Sequence, residues 1–457
     1  MKNIFRQPII TICTAFTLLS TEGCKKLIEV PVPADMLDRK TVFSSDKSAM
    51  EAVNGIYPSA LSNNQYYSFS VYPGLSADEI YNSMDPADRF QTNTLIPDMD
   101  DLDKMLWTRP YTLIYQCNSA IEGLNASSTV SDSVRTELMG EVKFLRGFWY
   151  FYLVNLYSDI PLALTTDLNT NATMLRTPFL QVYAQIIADL KDAASRLNAV
   201  NPAAQRGKPD RLAASALLAR VYLYQKNWLG AEAQASAVIN SGSYELSPDL
   251  NDVFLTGSPE SIWILDPTGL KFNYNTFTGY QFIPSSPATM PLFPVTNILL
   301  SAFEPGDQRK NSWLKSNTVN GQLFYYPYKY KVRTGSTIIE APVCLRLSEQ
   351  YLIRAEARAE QGNISGAQDD LNRVRSRAGL PNTTSTTQET LYLAIAHERQ
   401  VELFTEWGDR WLNLRRTQSI DSVLSKEKPG WEYEAALYPI PLNEIRLDAS
   451  LTENPGY

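Results

Sequence analysis

Two stretches of this chain repeat one another, and the repeat limits the folds open to it. Residues 219–238 (ARVYLYQKNWLGAEAQASAV) align with residues 355–374 (AEARAEQGNISGAQDDLNRV). Asn227 falls on Asn363, Gly230-Ala231 on Gly366-Ala367, and Val238 on Val374. Each copy reads as a helix, a short turn and a second helix, with small residues where the helices cross. One such unit cannot bury its apolar face alone, so copies must stack; the layout is that of a tetratricopeptide-like pair. The expected class is mainly α, with helical pairs as scaffold; coincidental helical hairpins are the other reading.

Periodicity elsewhere agrees. Ser44-Ser45-Asp46 is a cap region for a helix carrying Ala49, Val53, Ile56, Tyr57 and Ala60 on one side. Val134, Leu138, Val142, Leu145, Trp149, Tyr152 and Leu156 recur every three or four residues and predict a buried stripe over 133–157, with Pro161 just past the end. Further helices are expected over 178–197, 211–225, 229–241, 346–361, 364–378 and 388–416. Two long regions, about 62–107 and 246–342, read as irregular and are rich in Tyr, Phe, Asn, Asp, Pro and Gly. Long insertions of this kind are often functional loops.

The 457 residues are 44% apolar and 20% charged, enough for a packed core. A net charge of -8 repels phosphate backbones, so nucleic acid is excluded as a partner. His397 is the only histidine, which removes the commonest general base and metal ligand from most of the chain. No phosphate loop, C-x-x-C, H-E-x-x-H or G-x-S-x-G motif is present. The 25 tyrosines and 8 tryptophans suit either a core or a binding face.

Residues 1–23 read as an export signal. Lys2 and Arg6 precede an uncharged stretch, 8–20, too short to span a bilayer. Thr21-Glu22-Gly23-Cys24 then resembles a bacterial lipoprotein cleavage site, with Cys24 as the acylated residue; an ordinary secretory signal before a free cysteine is the alternative. The segment KKLIEVPVP, 25–33, reads as an extended tether. Cys117 and Cys344 either pair or remain buried thiols.

Three clusters carry possible chemistry. Glu398, Glu402 and Glu406 share one helix face, and carboxylate pairs are what glycoside hydrolysis uses. The favoured reading is an ion-pair framework with Arg399, Arg410, Arg415 and Arg416 in reach. Asp98, Asp100, Asp101 and Asp103 offer oxygen ligands but lack an EF-hand's glycine and terminal Glu, so a solvated loop is expected. Asp78-Glu79 with Tyr81 and Asn82 combines an acid, an amide and a ring, which suits a sugar; a capping Asp78 with a core-facing Tyr81 is the equal alternative. His397 reads as structural.

Several segments together resemble the SusD/RagB family of outer-membrane nutrient-binding lipoproteins. They are FSSDKSAMEAVNGIY (43–57), GEVKFLRGFWYFYLVNLYSDIPL (140–162), DQRK (307–310), LRLSEQYLIRAEARAEQG (345–362), LNRVRSRAGL (371–380), ERQVELFTEWGDRWLNLRR (398–416), YPIPLNEI (438–445) and the closing NPGY (454–457). The resemblance implies a mainly α, SusD-like fold with a long, loop-built ligand face, divided as 24–240 and 250–457 within one compact body. It implies a surface lipoprotein of the outer membrane, lipid-anchored, that binds oligosaccharide and delivers it to a SusC-like TonB-dependent transporter. It implies no enzyme activity and no cofactor. Ligand contacts do not carry over residue by residue. From region and composition they are expected at Tyr66, Tyr67, Tyr72, Asp78, Tyr81, Asn82, Arg89, Phe272, Tyr274, Tyr280 and Trp313, and metal occupancy is left open. Competing readings are a peptide-binding member of the family, a surface glycosidase and a purely structural helical adaptor.

Overall fold

The computed structural model describes residues 39–457 except 199, 203, 204 and 271. Cys24, the export signal and the tether lie outside the described residues.

We label the longer helices in chain order: α1 (Asp46–Asn54), α2 (Ser68–Ser76), α3 (Arg109–Ala126), α4 (Asp132–Tyr157), α5 (Phe179–Arg196), α6 (Arg211–Tyr224), α7 (Trp228–Ile239), α8 (Leu347–Glu360), α9 (Ile364–Arg377), α10 (Gln388–Glu402) and α11 (Asp409–Arg416). From α3 to α9 each packs on the next in sequence, and α4, α6, α8 and α10 also stack on their counterparts one pair along. That is the nearest-neighbour stacking of a helical-repeat array.

The repeat is faithful down to single atoms. Asn227 and Asn363 adopt nearly the same backbone angles (φ -85, ψ 77 and φ -82, ψ 74), and each side chain accepts from the glycine N–H three residues on. A Cβ on Gly366 would stand 2.7 Å from Asn363 Nδ2, and one on Gly230 would stand 2.8 Å from Tyr222 Cδ2. The glycines are therefore the residues that let the cap side chain fold over the helix start. Ala231, Ala367, Val238 and Val374 are all fully buried at the crossings.

The predicted stripe of α4 is buried from Leu138 on, with Val134 only partly so, but nearly everything else from Leu138 to Tyr157 is buried too. The helix is wrapped on all sides, and Arg146 survives there by a bidentate pair with Asp189 (2.8 and 2.7 Å) and a bond to Asn118. One apolar cluster runs from Phe43 to Ile440, and a smaller one lies between α8, α9 and α10.

Three expectations need correction. The helix expected over 388–416 is two, because Thr405, Trp407 and Gly408 take positive φ (54, 50 and 70) and turn the chain between α10 and α11. Helix α3 was not expected; its polar positions blur the period, yet Pro110 opens it in the favoured first turn. The two irregular regions are partly ordered. The first holds α2 and a π-helical turn, Leu102–Thr108. The second holds strand β1 (Ser261–Ile264) and a hairpin of β2 (Leu314–Val319) and β3 (Gln322–Pro327); β4 (Val343–Arg346), just past its end, runs antiparallel to β1. The hairpin turns at Asn320-Gly321, both left-handed (φ 52 and 80), a sequence signal for a tight hairpin.

Candidate functional site

The second loop region builds an aromatic shelf. Thr276 caps a short helix, Phe277–Phe282, its hydroxyl accepting from Gly279 N–H at 3.0 Å. One turn of that helix brings Phe277 and Tyr280 into a stack, with ring centres 5.6 Å apart and planes 17° apart. The bent lead-in adds Phe272 and Tyr274, themselves stacked at 4.9 Å and 11°. Tyr274 also reaches Phe277 (5.5 Å) and Tyr280 (5.7 Å). From the first loop region Tyr67 meets Phe277 edge-on at 4.8 Å. Arg333 lies over the outer face of Tyr280, 4.4 Å from the ring centre, with its Nε donating to the Ile283 carbonyl. The five rings are half-buried, so each keeps surface open to solvent.

A buried frame fixes the shelf. Asn275 is 1% exposed. Its Nδ2 donates to the Thr337 carbonyl (2.8 Å), and its Oδ1 accepts from Ile339 N–H (2.7 Å) and Glu340 N–H (3.0 Å). The Glu340 carboxylate accepts in turn from the Lys331 and Val332 N–H groups, and burial raises its pKa against those bonds. Tyr66 is buried below, its hydroxyl accepting from Phe277 N–H, which ties the two loop regions together.

Of the expected ligand residues, Tyr67, Phe272, Tyr274 and Tyr280 meet in this shelf, with Tyr66 beneath it. Phe277 and Arg333 belong to it and were missed. Phe277 carried the same signal as its neighbours, an aromatic in a polar loop; Arg333 comes from more than fifty residues later and left no signal. The other expected residues are placed elsewhere. Tyr72 is buried and stacks on Phe90 at 4.2 Å. Asp78 is 1% exposed and holds Arg410 by both oxygens, Nε at 2.8 Å and Nη2 at 2.5 Å. Asn82 closes a turn, accepting from Met84 and Asp85 N–H and donating to Asp88. Arg89 is exposed and donates to the Thr94 carbonyl. Tyr81 is half-buried beside a separate small cleft with Lys428. Trp313 is fully buried, its Nε1 donating to the Leu250 carbonyl and its ring flanked by Lys329, Arg346 and Arg377. Burial leaves it no face for a ligand.

Glu398, Glu402 and Glu406 do not share one helix face, because α10 ends at Glu402 and Glu406 lies in the turn beyond it, yet all three join a buried ionic cluster with cations other than those near them in sequence. Arg309 pairs with Glu398 (2.6 Å) and Glu402 (2.8 Å). Arg346 joins Glu260 (2.8 Å), Glu402 (2.6 Å) and Glu406 (2.7 Å), and Arg377 binds Glu260 and Glu402. Burial would raise Glu402, and Arg377, Arg346 and Arg309 outweigh it, holding the carboxyl well below the usual range. A general acid needs the opposite shift. The cavity beside Arg346 and Glu406 is about 20 Å³, too small for a sugar. Arg399 instead binds Asp409 and Glu349, Arg410 binds Asp78, and Arg416 binds Glu356.

Among the described residues no group of His, Cys, Asp and Glu could hold a metal ion. Of the acidic loop, Asp100 pairs with Lys104, and Asp103 accepts from Thr108 and Asn443. His397 bonds to the Ala302 carbonyl. Cys117 and Cys344 are both buried and free, and burial pushes the Cys117 thiol up to about 12. No helix among the described residues is long and apolar enough to cross a membrane.

Residues 32–223 match a family model described as starch-binding and associating with the outer membrane, and residues 303–457 match the SusD family model. A SusD-like protein of Formosa agariphila is 25% identical, the alignment covering 97% of this chain and 98% of that one. A SusD superfamily protein of Bacteroides vulgatus superposes with a TM-score of 0.80 at 22% identity, covering 90% of this chain and 99% of that one. Surface glycan-binding protein A of Bacteroides thetaiotaomicron, solved with laminarihexaose, superposes with a TM-score of 0.76 at 20% identity, again over 90% and 99%.

Proposed function

This chain belongs to the SusD/RagB family, and from that premise we propose that it is a surface binding protein that captures oligosaccharide on the aromatic shelf and performs no covalent chemistry. The observation that carries the reading is the shelf itself. Five half-open rings, Tyr67, Phe272, Tyr274, Phe277 and Tyr280, lie within 6 Å of one another as a connected set. Flat aromatic faces match the apolar C–H faces of sugar rings, and a few polar groups at the edge orient the hydroxyls. Arg333 and the Tyr274 and Tyr280 hydroxyls are those groups here. The shelf is prearranged by Asn275 and Glu340, so little order must be gained on binding. Two relatives in kind support the carbohydrate class: the starch-binding description of the matched family model, and the glycan-binding neighbour solved with laminarihexaose.

Delivery to a SusC-like TonB-dependent transporter and anchoring through an acylated Cys24 complete the proposal, on the family's pattern and on the sequence around Cys24. A calorimetric panel of laminari-, malto- and xylo-oligosaccharides beside short peptides tests it. Binding of at least one glycan class and of no peptide is expected. Binding of peptides alone would replace the carbohydrate reading with the peptide one.

A further inference from the structure

Arg415, in the last turn of α11, is half-buried and makes no ion pair and no side-chain hydrogen bond. Among the described residues it is the one arginine that is neither exposed nor bonded; Arg211, Arg373 and Arg446, also without such partners, are exposed. Its sequence neighbours show what the rule is elsewhere in this protein. Arg416 is held by both Glu356 oxygens (2.6 and 2.7 Å), Arg410 by Asp78 and Arg399 by Asp409. Partial desolvation without a counter-charge pushes the Arg415 pKa down to about 10.

Arg415 lines a cleft of about 380 Å³ where the ends of α4 and α6, the start of α5 and the end of α11 converge. Asn155, Ser158, Tyr183, Tyr224 and Lys226 also line it. Three cations face the space, Lys226, Arg415 and Arg416, and no Asp or Glu does, although the chain carries a net charge of -8. The helix-end carbonyls nearby are already taken: Asn413 by Thr417, Leu414 by Ser419, Tyr222 by Asn227 and Val154 by Ser158. No carboxylate of the protein pairs with Arg415. Ser158, Lys226 and Gln418, all on the cleft wall, are non-glycine residues at positive φ (65, 54 and 58). Each stands one or two residues past a helix end, after α4, α6 and α11, where a residue at positive φ commonly closes the helix.

We propose that this cleft is a second binding site, taking the carboxylate or sulfate of an acidic sugar, with Arg415 as the anion-binding residue. The planar guanidinium presents paired donors that match a carboxylate or sulfate edge. Ser158, Gln225 and Gln418 line the same space with groups that can bond sugar hydroxyls, and the volume lies in the range of small-molecule sites. The site shares no residue with the aromatic shelf. Its anion preference follows from the cleft alone; the sugar part rests on the carbohydrate reading above.

The test is a calorimetric titration of glucuronate, glucose 6-sulfate, glucose and inorganic sulfate into the full chain and its Arg415→Gln, Arg415→Lys and Lys226→Gln variants. Both acidic sugars should bind the parent more tightly than glucose, and more weakly as salt rises. Arg415→Gln should weaken them about tenfold or more, a loss near 1.4 kcal/mol. Arg415→Lys should recover part of that, and the exposed Lys226→Gln should cost less. Neutral-oligosaccharide binding should be the same in parent and Arg415→Gln, while Tyr280→Ala should weaken that binding and spare the acids. The inference is overturned if the acidic sugars do not bind the parent, or if Arg415→Gln binds them equally well. Should Arg415→Gln fail to fold, an unchanged affinity in Lys226→Gln overturns it as well. Arg415-dependent binding of inorganic sulfate without either sugar acid would overturn the sugar assignment.

Discussion

Glu79 is fully buried next to Asp78, and only one of its oxygens has a partner, accepting from Thr405 N–H at 3.2 Å. Burial, aided by the Asp78 charge, pushes its carboxyl up from 4.5 to about 8. The folded state therefore holds a proton that the unfolded chain releases near pH 4.5. The stability from this group is complete below about 4.5 and is lost as pH rises through 8. Glu79→Gln removes the ionisation, so its melting temperature relative to the parent should climb between pH 5 and pH 8. A gap that stays constant over that window would show the carboxyl to be ionised throughout. At the same scale, Asn363→Ala should cost about 1 kcal/mol in urea unfolding, the worth of a helix cap. The two cap asparagines were legible because the repeat displays them twice. Asp78 and Trp313 were not: an acid or a ring in a loop segment looks the same in sequence whether it faces a ligand, an arginine or the core.

Among the elements, the loop that carries the shelf depends on Asn275, whose amide holds backbone groups from Thr337 to Glu340. Asn275→Ala would strand those groups and let the loop at 331–340 move away from 272–280. Glycan affinity should fall although residue 275 itself lies under the shelf, and hydrogen exchange over 331–340 should rise. Unchanged exchange would show that the loop is held by its rings instead. The ionic cluster is another element-scale device: Arg346 of β4 joins Glu402 at the end of α10 and Glu406 in the turn after it. Arg346→Met leaves three buried carboxylates to the fewer remaining cations, Arg309, Arg377 and Lys329, and should destabilise by about 3 kcal/mol, read by denaturant titration. Elements with strong apolar period, α4 to α10, were legible to within two residues at most ends. The break after Glu402 was not, because the apolar spacing continues through Phe404, Trp407 and Trp411 while the backbone reverses at three positive-φ residues. The cations of the cluster were misassigned for the same reason: sequence distance does not bring Arg309 or Arg346 to α10, and folding does.

For the whole molecule, stacked helical pairs form the rigid body, and the two loop regions meet on it through Tyr66, Tyr67 and Phe277. The scaffold could be read from one repeat and several long amphipathic runs. The shelf could be read only in part, since its rings sit some two hundred residues apart. Arg333, which completes it, has no local pattern to betray it. At this scale belongs the anchor: Cys24→Ser should shift the protein from the membrane to the soluble fraction, and retention at the outer membrane would assign the attachment to a partner. The central claim, that sugar binds on the shelf, is met most directly by calorimetry of laminari- and malto-oligosaccharides against the parent and the double variant Phe277→Ala, Tyr280→Ala. The account predicts that the parent binds at least one series and that the double variant binds it about tenfold or more weakly, at a melting temperature within a few degrees of the parent. Equal affinity in parent and double variant would contradict it.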